Sequence, residues 1–176
     1  VNRIKVFFLQ RALNQQFKIR NAELPSLNKV QKIVVLVNHH QLHKIEGIAL
    51  SLSEKFKGSE SLFLLLNTRN SAEVKLPEKV ILVNTKDFTL FGKLKNEKVQ
   101  RILDHKCDIL MDFTFDSTIF GHYLLTLQQA AFKVGFASHS ANLTDLYLRM
   151  SEDAEEIKCL TVFWDYFLRL NGVNYE

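Results

Sequence analysis

The residues with the greatest chemical capacity follow apolar runs. In CDILMDF, Asp112 closes such a run, and Asp116 and Ser117 come four and five residues later. Strand carboxyl ends carry the ligands of open α/β sheets. Two carboxylates placed there can act as acid and base, share a proton or a metal, or accept from a sugar hydroxyl. The plainer role has Asp116 capping the next helix and Asp112 satisfying loop amides, each worth about 1 kcal/mol. After an earlier run, His39, His40 and His43 form HHxxH. His39 and His43 share a helix face if the helix starts early, and two imidazoles on one face can hold a divalent metal. No Glu lies between them as HExxH requires, and solvent-exposed loop histidines are the plainer reading.

The segment from Lys86 to Lys93, KDFTLFGK, places Phe88 and Phe91 among lysines, with Gly92 able to take a positive φ. Phe91, Gly92 and Lys93 can build a platform for a ring or a partner. Alternatively the aromatics tuck under the sheet edge and anchor the loop. Gly135 permits either close approach of a ligand or tight closure of a strand.

No cofactor is recognisable. After the first apolar run the chain reads NHHQLHKIEG, with neither GxGxxG nor GxxxxGK[ST], so the phosphate-cradling turn is missing. There is no GxSxG elbow and no recognisable cysteine–histidine signature. Whether the protein is an enzyme is left open by its sequence.

At 176 residues, 47% of them apolar, the chain fits one domain with a substantial core. Cys107 and Cys159 stand in no metal or redox spacing and read as reduced core residues of a cytoplasmic protein. No run of about 18 apolar residues occurs, and the start lacks a secretory signal.

Charge is concentrated at one end. Arg3, Lys5, Arg11, Lys18 and Arg20 occupy the first twenty residues without an acid, and the rest of the chain is close to neutral. A nucleic-acid binder would carry its cations across the folded face, so none is expected as a partner. With Ile4, Phe7, Phe8, Leu13 and Phe17 between the cations, residues 1–20 read as an amphipathic helix. It packs on the domain, on a protein partner or second copy of the chain, or on an anionic membrane surface at the inner membrane.

The elements that position these residues alternate in type. Apolar runs at Lys32 to Asn38, Leu62 to Asn67, Lys79 to Asn84, Asp108 to Phe113 and Phe132 to Ala137 read as strands, with Leu143 to Arg149 a short sixth. Helical patterns cover Gln41 to Lys57, closed by Gly58, then Asn96 to Asp104, Ser117 to Gln129 and Glu152 to Leu170. This alternation predicts an α/β fold: a doubly wound, mostly parallel sheet of five to six strands in order 3-2-1-4-5. Residues 1–28 form a basic helical extension and residues 29–176 a single domain.

Two resemblances bear on this reading. The series KIVVLVN, KDFTLFGK, CDILMDF, QAAFKVGF and TDLYL resembles a family of short uncharacterised bacterial proteins, a Rossmann-like domain of unknown function. It spans nearly the whole chain and implies the fold without a reaction. CDILMDF, a helix and AAFKVGF are similar to the N-terminal half of heptosyltransferase-like glycosyltransferases, which holds the acceptor sugar. That likeness covers about thirty residues and implies a shared scaffold before a shared reaction. Two functions are therefore expected: a binding or interaction module, peripheral to the inner membrane, or a sugar- or nucleotide-handling enzyme working at the Asp112 edge.

Overall fold

Six consecutive residues of KIVVLVN, from Ile33 to Asn38, are buried, so this strand must be covered on both faces. The computed structural model describes residues 3–16, 21–67, 76–89, 91, 93–115, 118–137, 140–150 and 155–173. Its strands are β1 (Lys32–Asn38), β2 (Glu60–Asn67), β3 (Val80–Asn84), β4 (Cys107–Asp112), β5 (Ala130–Gly135) and β6 (Leu146–Tyr147). They form one sheet in the order β3-β2-β1-β4-β5-β6. Every pairing is parallel, including that of β3 with β2 despite the short connection between them. The predicted doubly wound, Rossmann-like topology is therefore present, with the sixth strand at the edge beyond β5.

Side chains alternate across each strand, so one apolar run feeds two layers. On one face Val35, Val37, Phe63, Met111 and Phe113 meet α2 (Ile45–Lys55) and α5 (Glu156–Leu170), whose Phe163 and Phe167 fill the layer. On the other, Val34, Leu36, Leu64 and Leu110 meet α3 (Glu97–Asp104) and α4 (Ile119–Leu127). Asp108 Oδ2 accepts from the backbone N–H groups of Gln31 and Lys32 at 2.7 and 2.8 Å, locking the start of β1 to β4.

The N-terminal helix α1 (Arg3–Gln16) belongs to the second layer. Leu9 and Leu13, four residues apart, are buried there, and α1 packs against α4. Lys5, one turn earlier on the same stripe, is also buried. Its Nζ donates to the carbonyl of Thr85 and lies 5.9 and 5.7 Å from the ring centroids of Phe88 and Phe120. Burial, together with the charge of Lys95, lowers the pKa of this ammonium, and Asp87 partly opposes the shift.

Helix starts depart from the sequence reading in two places. The chain after β1 opens with a 3₁₀ segment, His39–Lys44, before α2, because Gln41 turns inward to bond the backbone. Helix α4 starts at Ile119 and is capped by Thr118, whose Oγ1 accepts from the Gly121 N–H at 3.1 Å; Asp116 is not the cap. Gly58 lies beyond the end of α2 with φ +83°, a conformation that glycine reaches without strain. The two cysteines are free and buried, and burial pushes the Cys107 thiol up to about 12 and that of Cys159 up to about 11.

The two faces of α1 should respond oppositely to substitution. Leu9→Ala is expected to cost about 2–5 kcal/mol by opening the second layer, whereas Phe7→Ser on the exposed face should change stability by less than about 0.5 kcal/mol. Urea unfolding midpoints of the two variants provide the measurement. Equal effects would mean that α1 is not part of the core.

Candidate functional site

At the carboxyl edge of the sheet, strands β1, β2 and β3 each end in asparagine and β4 ends in aspartate. Asp112 is buried. Its Oδ1 accepts from the Thr114 backbone N–H at 3.0 Å and from Thr114 Oγ1 at 2.5 Å. Asp112 stands in register with Leu36 of β1 and Gly135 of β5, so the edge joins two of the predicted site residues on adjacent strands. Phe113 and Phe136 stack at 4.5 Å just beyond them. Asp116, Ser117 and Gly92 lie outside the described residues.

The role of Gly135 is set by its neighbours. A Cβ added there would come within 2.8 Å of Ser140 Cβ and 3.1 Å of Thr144 Cγ2, so the glycine is what lets the 140–144 turn close over β5. Of the two uses open to it in the sequence, tight packing is the one these contacts describe.

The histidines after β1 are not arranged as their spacing suggested. In a 3₁₀ segment the side chains at i and i+3 eclipse, so His40 and His43 share a side and His39 is turned away from His43. Among the described residues no group of three or more His, Cys, Asp or Glu side chains is placed as metal ligands would be.

Gln41 and Glu156 join the edge to α5, and neither was legible as a site residue. Gln41 Oε1 accepts from the Asn38 N–H at 2.7 Å, while its Nε2 donates to the Phe113 carbonyl at 3.1 Å and to Glu156 Oε1 at 2.9 Å. Lys44 Nζ lies 2.7 Å from Glu156 Oε2. Burial by itself raises the Glu156 pKa, but the hydrogen bonds from Lys44 and Gln41, a backbone N–H and the Lys44 charge outweigh it and hold the carboxyl below the usual range. Beside this ion pair, His43, Gly47, Ile48 and Ile157 line a cavity of about 260 Å³. Asn67 Nδ2 donates to Asn84 Oδ1 at 3.2 Å across β2 and β3. A signal for this polar rim did exist in the sequence: KIVVLVN, LFLLLN and KVILVN all finish on asparagine.

A second surface is aromatic and basic. Phe88 is buried against Phe120 and Tyr123, at centroid distances of 5.2 and 6.0 Å, and anchors its loop as one of its two sequence readings held. Phe91 behaves differently. It is 68% exposed, and its ring meets that of Phe8 edge-on at 5.1 Å, while Phe8 meets Phe7 at 5.7 Å. Phe7 is 62% exposed, and on the α1 surface it sits one turn from exposed Arg3 and one turn from exposed Arg11. Exposed Lys93 is fixed beside Phe91, its N–H donating to Thr89 Oγ1 at 2.9 Å and its carbonyl accepting from the Thr89 N–H at 2.7 Å.

Two outcomes follow from the carboxyl edge. Gly135→Ala should destabilise the protein by about 1–3 kcal/mol, and Ser140→Gly in the same chain should recover most of the loss, as read from a double-mutant cycle in urea. Glu156→Gln should lower stability at pH 7 by about 1–3 kcal/mol. Because the folded-state pKa is depressed, the ionised carboxylate stabilises above the ordinary glutamate value of 4.5, and this contribution is lost as pH falls through the folded value. The difference between wild type and variant should therefore shrink on acidification below about pH 4.5. A constant gap from pH 7 to pH 3 would contradict this.

The chain was compared with known proteins. No curated protein matches it, and no solved structure matches it. Neither comparison supports the heptosyltransferase likeness of the segment between Cys107 and Ala137. One family model does match, over residues 5–161, a span that takes in most of α1, the whole sheet and the start of α5. The chain belongs to DUF6913, a family of unknown function.

Proposed function

We propose that this protein is a binding module that docks peripherally on an anionic membrane surface through the outer face of α1 and the Phe91–Lys93 loop. The observation that carries the reading is the pairing of two exposed rings, Phe7 and Phe91, with Arg3, Arg11 and Lys93 around them on a folded surface. Single exposed apolar residues are common on soluble proteins, but aromatics bridged by a third ring and flanked by cations form the composition of an interfacial anchor.

The magnitudes are adequate for reversible binding. Each phenylalanine ring contributes about 1.5–3 kcal/mol when fully withdrawn from water, and each cation near an anionic leaflet about 1 kcal/mol. Two rings and three cations together approach the ~8 kcal/mol of a micromolar complex. Lys5 takes no part, because its ammonium is held inside the fold. No helix among the described residues is long and apolar enough to cross a membrane, so the docking is on the surface.

Removing α1 would uncover Leu9 and Leu13, so the informative variants change surface residues alone. Flotation with phosphatidylglycerol vesicles should carry the wild-type protein upward, and phosphatidylcholine vesicles should not. Phe7→Ser combined with Phe91→Ser should reduce recovery at least tenfold while the urea midpoint stays unchanged. Recovery that ignores lipid charge, or a double variant that floats like the wild type, would refute the proposal. A protein partner covering the same face would then be the reading to pursue.

A further inference from the structure

Gly47 lies inside the helical run made by the 3₁₀ segment and α2, where glycine is a weaker helix former than alanine. Neither conformation nor packing asks for it. Its φ is not positive, and a Cβ added there would meet only Ile157 Cδ1, at an ordinary contact distance of 3.8 Å. What the missing side chain preserves is space.

That space belongs to the cavity of about 260 Å³ between the start of α2 and the start of α5. Every residue lining it is among those described. Ile48, fully buried, and Ile157, 44% exposed, give it aliphatic walls, and exposed Leu50 stands one turn beyond Gly47 on α2. The remaining walls are titratable. Lys44 Nζ meets both oxygens of Glu156, at 3.0 and 2.7 Å, so these two charges are already matched to each other. His43 and Glu155 differ: both are exposed, and their side chains make no hydrogen bond or ion pair among the described residues.

The cavity therefore offers an aliphatic bed and one carboxylate without a counterion. An anionic ligand would face the carboxylates of both Glu155 and Glu156, which stand at the first turn of α5 and offset the positive end of that helix. An uncharged apolar ligand would leave Glu155 unmatched. An ammonium on a methylene stem meets both demands, since its N–H groups donate to the Glu155 carboxylate and to a neutral imidazole at His43, while the stem lies on the isoleucines. We infer that this cavity binds a primary alkylammonium group, in the room that Gly47 leaves open. A free aliphatic amine and the lysine side chain of a partner protein share this chemistry. The chain as a whole carries a net charge of +4, so a cation held here is held by the cavity and not by the overall field. The inference is independent of membrane docking, because α2 and α5 cover the face of the sheet opposite to α1.

The test follows the backbone amide resonances of Gly47 and Ile157 in the isotopically labelled full chain during titration with n-butylammonium and cadaverine, with butyrate as the comparison. A second arm titrates an end-capped glycyl-lysyl-glycine peptide and the same peptide acetylated on the lysine Nζ. Gly47→Leu fills the cavity, and its urea midpoint reports whether the fold is kept. Glu155→Gln removes the unmatched charge and leaves the Lys44–Glu156 pair in place. Saturable shifts with a free amine, weakened by about tenfold in Glu155→Gln and lost in Gly47→Leu, support the inference with a small amine as ligand. Binding of the lysine peptide tighter than either free amine by about tenfold, and lost on acetylation, supports it with a partner's lysine as ligand. The inference is overturned if neither amine nor the lysine peptide moves the resonances, if butyrate moves them equally, or if Glu155→Gln or a folded Gly47→Leu binds as the wild type does.

Discussion

The structure depends on one constraint: a central parallel strand buried from Ile33 to Asn38 must be covered on both sides. β1 supplies Val35 and Val37 to one layer and Val34 and Leu36 to the other, so neither layer is optional. α2 and α5 close the first with a group of aromatic rings from Phe56 to Phe167. The second is closed by α3 and α4 together with α1, which brings Leu9 and Leu13. The basic N-terminal segment is thereby drawn into the core of the domain, and the matched family region begins within it.

That same constraint fixes what is left outside. Once Lys5, Leu9 and Leu13 face inward, the helix geometry turns Arg3, Phe7 and Arg11 outward. The loop after β3 is held by Phe88, inserted beside Phe120 and Tyr123, and this leaves Phe91 at the surface against Phe8. Core packing and the aromatic platform are two sides of the same helix and the same loop.

Much of this was legible in the chain because the signals were local. Runs such as KIVVLVN and LFLLLN can satisfy their apolar character only as strands buried on both faces, and helical periods between them force parallel crossovers. The extent of α3 was readable too: the helical pattern from Asn96 to Asp104 matches a helix over Glu97–Asp104, with Asn96 accepting from the Lys98 and Val99 N–H groups. What escaped the sequence depends on partners far along the chain. Gln41 is buried because Phe113 and Glu156 receive it, 72 and 115 residues away, and that contact gives the segment after β1 its 3₁₀ form. Lys5 and Lys133 are cations that composition assigns to the surface, yet a carbonyl of Thr85 in one case and of Leu125 in the other accepts from them inside the fold. At the start of α4 the sequence points to Asp116 as the cap, whereas the helix begins at Ile119 behind Thr118. At the candidate edge the place of Asp112 was readable from its position after an apolar run.

The anchoring of α1 by Lys5 has a consequence for how tightly its outer face can hold a partner. Many amphipathic segments are coils in water and must become helical as they land, and the lost backbone freedom is subtracted from their affinity. Here that entropic penalty was met when the domain folded. In the proposed docking, the rings and guanidinium groups would meet their target already arranged, so that even a small contact area would retain most of its intrinsic binding energy.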